Sequence, residues 1–203
     1  QKNLCLAGGV ALNCVANGKL LRDGSFEQVW VQPAAGDAGG AIGAALGVYH
    51  RLFNGPRQVQ AGRDAMQGAL LGPAYLQADI EARLRAIGAH FTVHSDSDII
   101  DLAASALAAG HALGWHQGRM EFGPRSLGAR SILADPRSPG VQRQLNLKVK
   151  FRESFRPFAP SVLREDVATW FDLDGDSPYM LIVADVAAAH RRPMSAEQQA
   201  LFG

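Results

Sequence analysis

Cysteine is scarce in this sequence: Cys5 and Cys14 are the two present, nine apart and in no CxxC pair. That excludes a disulfide framework and a zinc ribbon. Both read as reduced residues in or near the core, as in a cytoplasmic protein. No apolar run approaches the roughly 18 residues that a membrane span needs, so no membrane partner is expected. The start shows neither the basic nor the apolar stretch of a secretory leader. A formal net charge of +1 over 203 residues gives no bulk field to attract nucleic acid or anionic lipid. Several familiar ligand loops are missing too. Gly18-Lys19 is no Walker loop, because Asn13 stands where the first glycine belongs and Leu20 where Ser or Thr belongs. His90 and His94 have helical zinc spacing but sit in a β-branched, aromatic run, and no Glu follows His90. Asp172, Asp174 and Asp176 begin like a calcium loop but lack its sixth-position glycine and twelfth-position glutamate, and read as an exposed acidic turn.

What is present is ordinary globular composition, 47% apolar and 19% charged, which excludes wholesale disorder. Asn3 to Ala7 reads as a short strand broken by Gly8-Gly9. Val10 to Leu21 reads as a helix with Leu12, Val15, Ala16 and Leu20 on its apolar face. Val29 to Val31 is a second strand, Gln32 to Gly40 a small-residue loop, and Ala38 to Leu52 a helix of small side chains. Strand, glycine loop and helix, twice over, imply an α/β unit. The turn-rich run 54–68 reads as a linker between a first domain, 1–53, and a second, 69–203. In the second domain, strands are expected over Ala69–Pro73, Phe91–Val93, His111–His116, Phe158–Leu163 and Tyr179–Val186. Helices are expected over Ala74–Ile87, over Asp96–Ala109 with Ser95 as N-cap, and over Glu165–Phe171.

Two features of the first domain invite a ligand reading beside a structural one. Gly8-Gly9 is either a plain tight turn or a phosphate or ribose contact at a helix N-terminus. Asp37, isolated among Ala and Gly, is either an N-cap or an acid of a metal or phosphate site.

The charge is unevenly placed. From His116 to Arg156 there are nine basic residues against three acids, Glu121, Asp135 and Glu153, a surplus of six in a chain whose total is +1. Gly118, Gly123, Pro124, Gly128 and Gly140 punctuate the run, and core-type residues such as Phe122, Leu127 and Ile132 alternate with the cations. Fixed guanidinium groups on a backbone that permits close approach suit a phosphoryl ligand. Lys148 and Lys150 are placed to neutralise a leaving phosphate, Ser131 to offer a hydrogen bond, and Asn146 to hold a carbonyl or amide. Set against this is a solvated arginine-rich surface paired with acids elsewhere.

GRMEFGPRSLGARSILADPR followed by LNLKVKFRESFRPFAPSVL resembles the signature of the NodU/TobZ/CmcH family of O-carbamoyltransferases. The openings LAGGVALNCVANGKL and QPAAGDAGGAIGAAL resemble the end of that family's first domain. The likeness runs from about Asn3 to Val186. It implies a partial actin-like ATPase-type unit followed by a YrdC-like α/β domain that forms carbamoyl adenylate from carbamoyl phosphate and ATP. The carbamoyl group would then pass to a hydroxyl-bearing small molecule with the help of a divalent metal ion, by resemblance iron. Carried over residue by residue, Arg125, Lys150 and Arg156 resemble the catalytic cations. Gly8, Gly9, Asn13, Arg130 and Ser131 resemble cofactor contacts, and Asp37 resembles a metal ligand. The family's HxxxH metal pair and its C-terminal Arg and Ser have no match here. The chain is therefore expected to be a fragment that does not complete the transfer alone. A homodimer is compatible with the resemblance, and nucleic acid is not the expected partner. The competing reading is a non-catalytic nucleotide or double-stranded RNA binding module on a YrdC-like surface.

Overall fold

A computed structural model describes residues 1–59, 62 and 64–197. It is a mixture of helix and sheet, consistent with an α/β fold. Strand β1 (Asn3–Leu6) pairs in parallel with β2 (Gln28–Val31), Leu4 opposite Val29 and Leu6 opposite Val31. Parallel neighbours need a crossover. Here it is a 3-10 turn (Gly9–Leu12) followed by helix α1 (Cys14–Asp23). The single helix expected over Val10–Leu21 is thus divided at Asn13. Its φ of −76° and ψ of 88° are not helical, and its side chain accepts the Ala16 N–H at 3.1 Å as an N-cap. Gly24, with φ +69°, ends α1 in the left-handed conformation that glycine adopts without penalty.

The buried positions of α1 are Asn17 and Gly18, while Val15, expected on the apolar face, is 52% exposed. The reason lies in what packs on the helix. The backbone of residues 181–183 lies against it, and backbone needs donors and close approach more than apolar side chains. Asn17 Nδ2 donates to the carbonyls of Ala11 at 2.8 Å and Leu181 at 2.9 Å. The Val183 N–H donates to the Cys14 carbonyl at 3.1 Å, and Arg22 Nη1 donates to the Val183 carbonyl at 2.8 Å. The expected strand over Tyr179–Val186 is therefore not a ladder strand. Its regular pairing is an isolated bridge between Phe171 and Val186. Cys5, expected in or near the core, is exposed, and Cys14 is half-buried; both are free thiols.

From β2 the chain turns through a buried Pro33–Ala35 loop into α2 (Asp37–Gly47), which a π turn (Val48–Leu52) extends. The core forms around that loop, in two clusters. One joins Ala11, Val31 and Ala35 to Leu181; the other joins Ala34 to Met66 and Ala69, with Phe122 and Leu127 packed against it. Tyr179 touches both clusters. Its hydroxyl bonds the Asp64 carboxylate and accepts the Gly68 N–H at 3.1 Å.

Helices α3 (Gln77–Ala86) and α4 (Asp96–Ala108) follow, and Ser95 caps α4 through the Asp98 N–H as expected. Strand β3 (Leu113–His116) pairs antiparallel with β4 (Arg130–Leu133), which was not anticipated because arginine and serine open it. Three further expected strands are absent as regular elements. Phe91–Val93 and Phe158–Leu163 carry no regular secondary structure. Ala69–Pro73 begins in a 3-10 turn (Gln67–Ala69) and is tied to 120–122 by backbone bonds: Gly72 N–H to Met120, Met120 N–H to Pro73 and Phe122 N–H to Ala69. The short helix α5 (Val141–Gln144) runs into a π turn (Leu145–Val149), and α6 (Val167–Trp170) covers most of the helix expected over Glu165–Phe171. Asp176 of the acidic turn pairs with Arg164. No helix among the described residues is long and apolar enough to cross a membrane.

Candidate functional site

The glycine-punctuated loop 121–130 is built around one carboxylate. The Glu121 side chain is 0% exposed. Its Oε1 accepts the N–H groups of Leu127 and Ala129, each at 2.7 Å, and its Oε2 accepts Arg130 Nε at 3.1 Å. Burial works against this carboxylate. The N–H groups of Leu127, Glu121 itself and Ala129, with Arg130, outweigh that and hold the carboxyl below its usual range. Arg130 Nη2 then donates to the Gly123 carbonyl at 2.8 Å, closing the loop on itself. Gly123 lies at φ +127°, and a Cβ there would stand 3.3 Å from Ala34 Cβ and 3.4 Å from the Pro33 carbonyl oxygen. The loop is thus seated on the buried turn that precedes α2.

Arg125 projects from this loop toward the first parallel unit. Its Nη2 donates to the Leu12 carbonyl at 2.9 Å, and its Nε is buried with no partner. A buried guanidinium N–H is costly to leave unpaired, so this is a position where an anion would be stabilised. Leu12 ends the turn that starts after Gly8-Gly9. Gly8 has φ +93° and ψ 163°, a conformation essentially confined to glycine, and a Cβ on Gly8 or Gly9 would meet nothing within 4 Å. The exposed Gly8-Gly9 backbone and Arg125 are therefore joined through one short turn. Asn13, expected as a cofactor contact, is engaged as the cap of α1. Ser131 Oγ accepts the Gly128 N–H at 3.0 Å, and Arg130 is held by Glu121 and Gly123.

A second polar hub shapes the loop 150–156. Asn146 is 0% exposed. Its Nδ2 donates to the carbonyls of Ser154 at 3.1 Å and Arg156 at 2.8 Å, and its Oδ1 accepts Arg152 Nε at 2.6 Å. Gln142 Nε2 reinforces it through the carbonyls of Phe155 and Arg156. Between Lys150 and Arg152 the backbone passes through Phe151 at φ +50°, a strained conformation for a bulky residue. Lys150 and Arg156 themselves are exposed, and Arg156 pairs with Glu153 at 2.8 Å. Open hollows of about 670 and 400 Å³ lie along Arg85–Val93 and against one face of α4, and neither is lined by Arg125, Lys150 or Arg156.

Asp37 is the exposed first residue of α2 and makes no capping bond; Gly36 holds the cap position. Among the described residues no group of three or more His, Cys, Asp or Glu converges as metal ligands would. Asp37 alone does not make a metal site. Glu121 and Asn146 were not singled out in the sequence as organisers of backbone. The available signal was that Glu121 is an acid alone inside a basic, glycine-rich run.

Residues 1–46 match the family described as carbamoyltransferase N-terminus, and residues 104–199 the family described as carbamoyltransferase C-terminus. An uncharacterized protein of Synechocystis is 58% identical over 204 residues, covering 100% of this chain and 33% of its own length. Nodulation protein NolNO of Sinorhizobium fredii is 46% identical over 200 residues, 96% of this chain and 28% of the relative. The 3'-hydroxymethylcephem-O-carbamoyltransferase of Streptomyces clavuligerus is 35% identical over 183 residues, 88% of this chain and 31% of the relative. The chain thus spans about a third of the length of the curated relatives it matches.

Proposed function

The chain belongs to the carbamoyltransferase family, and from that premise we propose that it supplies anion-holding residues to an ATP-dependent O-carbamoyltransferase. In this reading residues 1–53 are part of an actin-like ATPase-type domain and the region from 69 onward is a YrdC-like domain. The donor is carbamoyl phosphate and the acceptor a hydroxyl-bearing small molecule. Carbamoyl phosphate and one water give carbamate and phosphate. A carbamate oxygen attacks the α-phosphorus of ATP and pyrophosphate leaves. The acceptor oxygen then attacks the carbamoyl carbon, its proton is lost, and AMP leaves. The observation that supports this reading most is the buried, partnerless Nε of Arg125, on a loop with no slack, beside the Gly8-Gly9 turn.

The residues of this chain act by position and charge. Arg125 holds a phosphoryl oxygen through the N–H that the protein leaves unpaired. The backbone at Gly8-Gly9 accommodates a second anionic group at close range. Lys150 and Arg156, on the loop that Asn146 shapes, bring positive charge to the leaving pyrophosphate. Arg130 and Ser131 support the loop on which Arg125 rides. Asp37 would contribute one oxygen ligand to a divalent metal; among the described residues no group of three or more His, Cys, Asp or Glu completes such a site.

The test is pyrophosphate release from ATP and carbamoyl phosphate by the complete natural polypeptide, with hydroxyl acceptors supplied. Release that depends on both substrates, and falls at least about tenfold in Arg125→Ala, is expected, because a charge-assisted bond to phosphate is lost. No release with any acceptor, together with salt-steep retention of double-stranded RNA, would replace this reading with the binding-module one.

A further inference from the structure

We infer that Glu121 is the positioning residue that assigns the two arginines of the loop their separate roles, committing Arg130 to structure and leaving Arg125 to the ligand. The inference rests on the anion-holding role of Arg125 proposed above. Two arginines five residues apart on a glycine-rich loop are chemically equivalent as phosphate ligands. What separates them in the fold is a single acid. Glu121 meets Arg130 Nε at 3.1 Å, and no ion pair is found for Arg125 among the described residues.

The same carboxylate fixes where Arg125 points. Its Oε1 gathers the N–H groups of Leu127 and Ala129, on the C-terminal side of Arg125. Through Arg130 it also restrains the Gly123 carbonyl, on the N-terminal side. The Phe122 N–H is held by the Ala69 carbonyl at 2.6 Å. The three residues Pro124 to Ser126 thus span a gap whose two ends are tied to one buried side chain. Arg125 has little freedom except at its guanidinium, which is steadied by Leu12 at one nitrogen. Without the charge on Glu121, Arg130 would lose its acid partner. It would then compete for the same anion, and the Gly123 side of the loop would relax.

Glu121→Gln is the discriminating substitution, since the amide oxygen still accepts the Leu127 and Ala129 N–H groups but carries no charge. Should it not fold, Glu121→Asp, which keeps the charge and withdraws it by one methylene, takes its place. The measurement is calorimetric affinity for carbamoyl phosphate in the complete polypeptide, across wild type, Glu121→Gln, Arg125→Ala and the double variant. Glu121→Gln is expected to weaken binding about tenfold in the wild-type background and less than about twofold once Arg125 is alanine, because the residue acts through Arg125. An equal loss in both backgrounds would make Glu121 a structural residue only and overturn the assignment. So would an Arg125→Ala variant that binds as well as wild type, or a wild type that binds no carbamoyl phosphate. Pyrophosphate release is followed in the same samples. If it is absent while the binding cycle behaves as expected, the ATP-dependent reading fails and the role of Glu121 stands.

Discussion

Gly18→Ala should destabilise this protein, although the same exchange in a helix ordinarily stabilises by about 1 kcal/mol. Gly18 lies inside α1, where a Cβ would stand 2.2 Å from the Val183 carbonyl oxygen and 3.2 Å from that residue's carbonyl carbon and nitrogen. These are backbone atoms, so no side chain can swing aside, and residues 181–183 must lift from the helix. Lifting them strains the bonds from Asn17 to Leu181, from Val183 to Cys14 and from Arg22 to Val183. At about 1 kcal/mol net for each of the first two, and less for the exposed Arg22 bond, that is roughly 2 kcal/mol. Leu181 is 4% exposed, and partial loss of its burial adds about 1–3 kcal/mol. After subtracting the gain in helix propensity, the net loss is about 2–4 kcal/mol. The local readout is hydrogen exchange at the Val183 amide, which should accelerate at least about tenfold. The matched control is Gly43→Ala in α2, where a Cβ meets nothing within 4 Å. There the expected result is a gain of up to about 1 kcal/mol. If Gly18→Ala is as stable as Gly43→Ala and Val183 exchange is unchanged, the close packing of 181–183 on α1 is refuted.

Asn146→Ala should cost about 2–4 kcal/mol in urea unfolding, since it removes three hydrogen bonds and leaves the Ser154 carbonyl and Arg152 Nε without that partner, while the Arg156 carbonyl keeps Gln142; Gln142→Ala, which removes an exposed reinforcement, should cost under about 1 kcal/mol. The Glu121 carboxyl is held below its usual range by its N–H donors and Arg130 against the opposing effect of burial. Its contribution is therefore complete above the unfolded carboxylate value of about 4.3 and lost as pH falls through the folded value, so wild type should lose stability below about pH 4 more steeply than Glu121→Gln. Tyr179 is pushed up to about 12, by burial first and then by the Asp64 hydrogen bond and charge, with the Gly68 N–H opposing. Its contribution is present below the unfolded value of about 10 and declines as pH rises toward 12. Tyr179→Phe should abolish that alkaline decline, as measured by unfolding midpoints across the range.

Local signals were read well where they depend on neighbours in sequence. β1, β2, α2, α4 with its Ser95 cap, and the turn at Gly24 follow from apolar runs, small residues and capping chemistry within a few positions. The failures share one cause. Whether Tyr179–Val186 becomes a ladder strand or a strap depends on what lies beside it, and the neighbour is the Asn17/Gly18 face of α1, 164 residues away from Leu181 in sequence. Periodicity ranked Val15 above Asn17 for burial because it assumes an apolar partner. At the site, the uneven charge and the glycines of the run from His116 to Arg156 were legible in the sequence, and their phosphate-binding role is what we propose. The hydrogen bonds that tie Arg130, but not Arg125, to Glu121 were not legible, because residue type alone does not reveal them.

The positioning of charge in this chain relies on polar hubs more than on a large apolar core. The two buried clusters are small and rest mainly on alanines. The side chains that do disappear from solvent beside them are Asn17, Glu121 and Asn146, and each ties together backbone segments rather than filling space. Such a hub fixes direction as well as distance, because a hydrogen bond weakens steeply off axis whereas an apolar contact is tolerant. An arginine that must meet a small anion needs direction. That is the physical reason to expect loss of ligand affinity from Glu121 and Asn146 substitutions at a stability cost the fold survives, and to expect conservative changes at Ala34 or Ala69 to act on stability with little effect on the ligand.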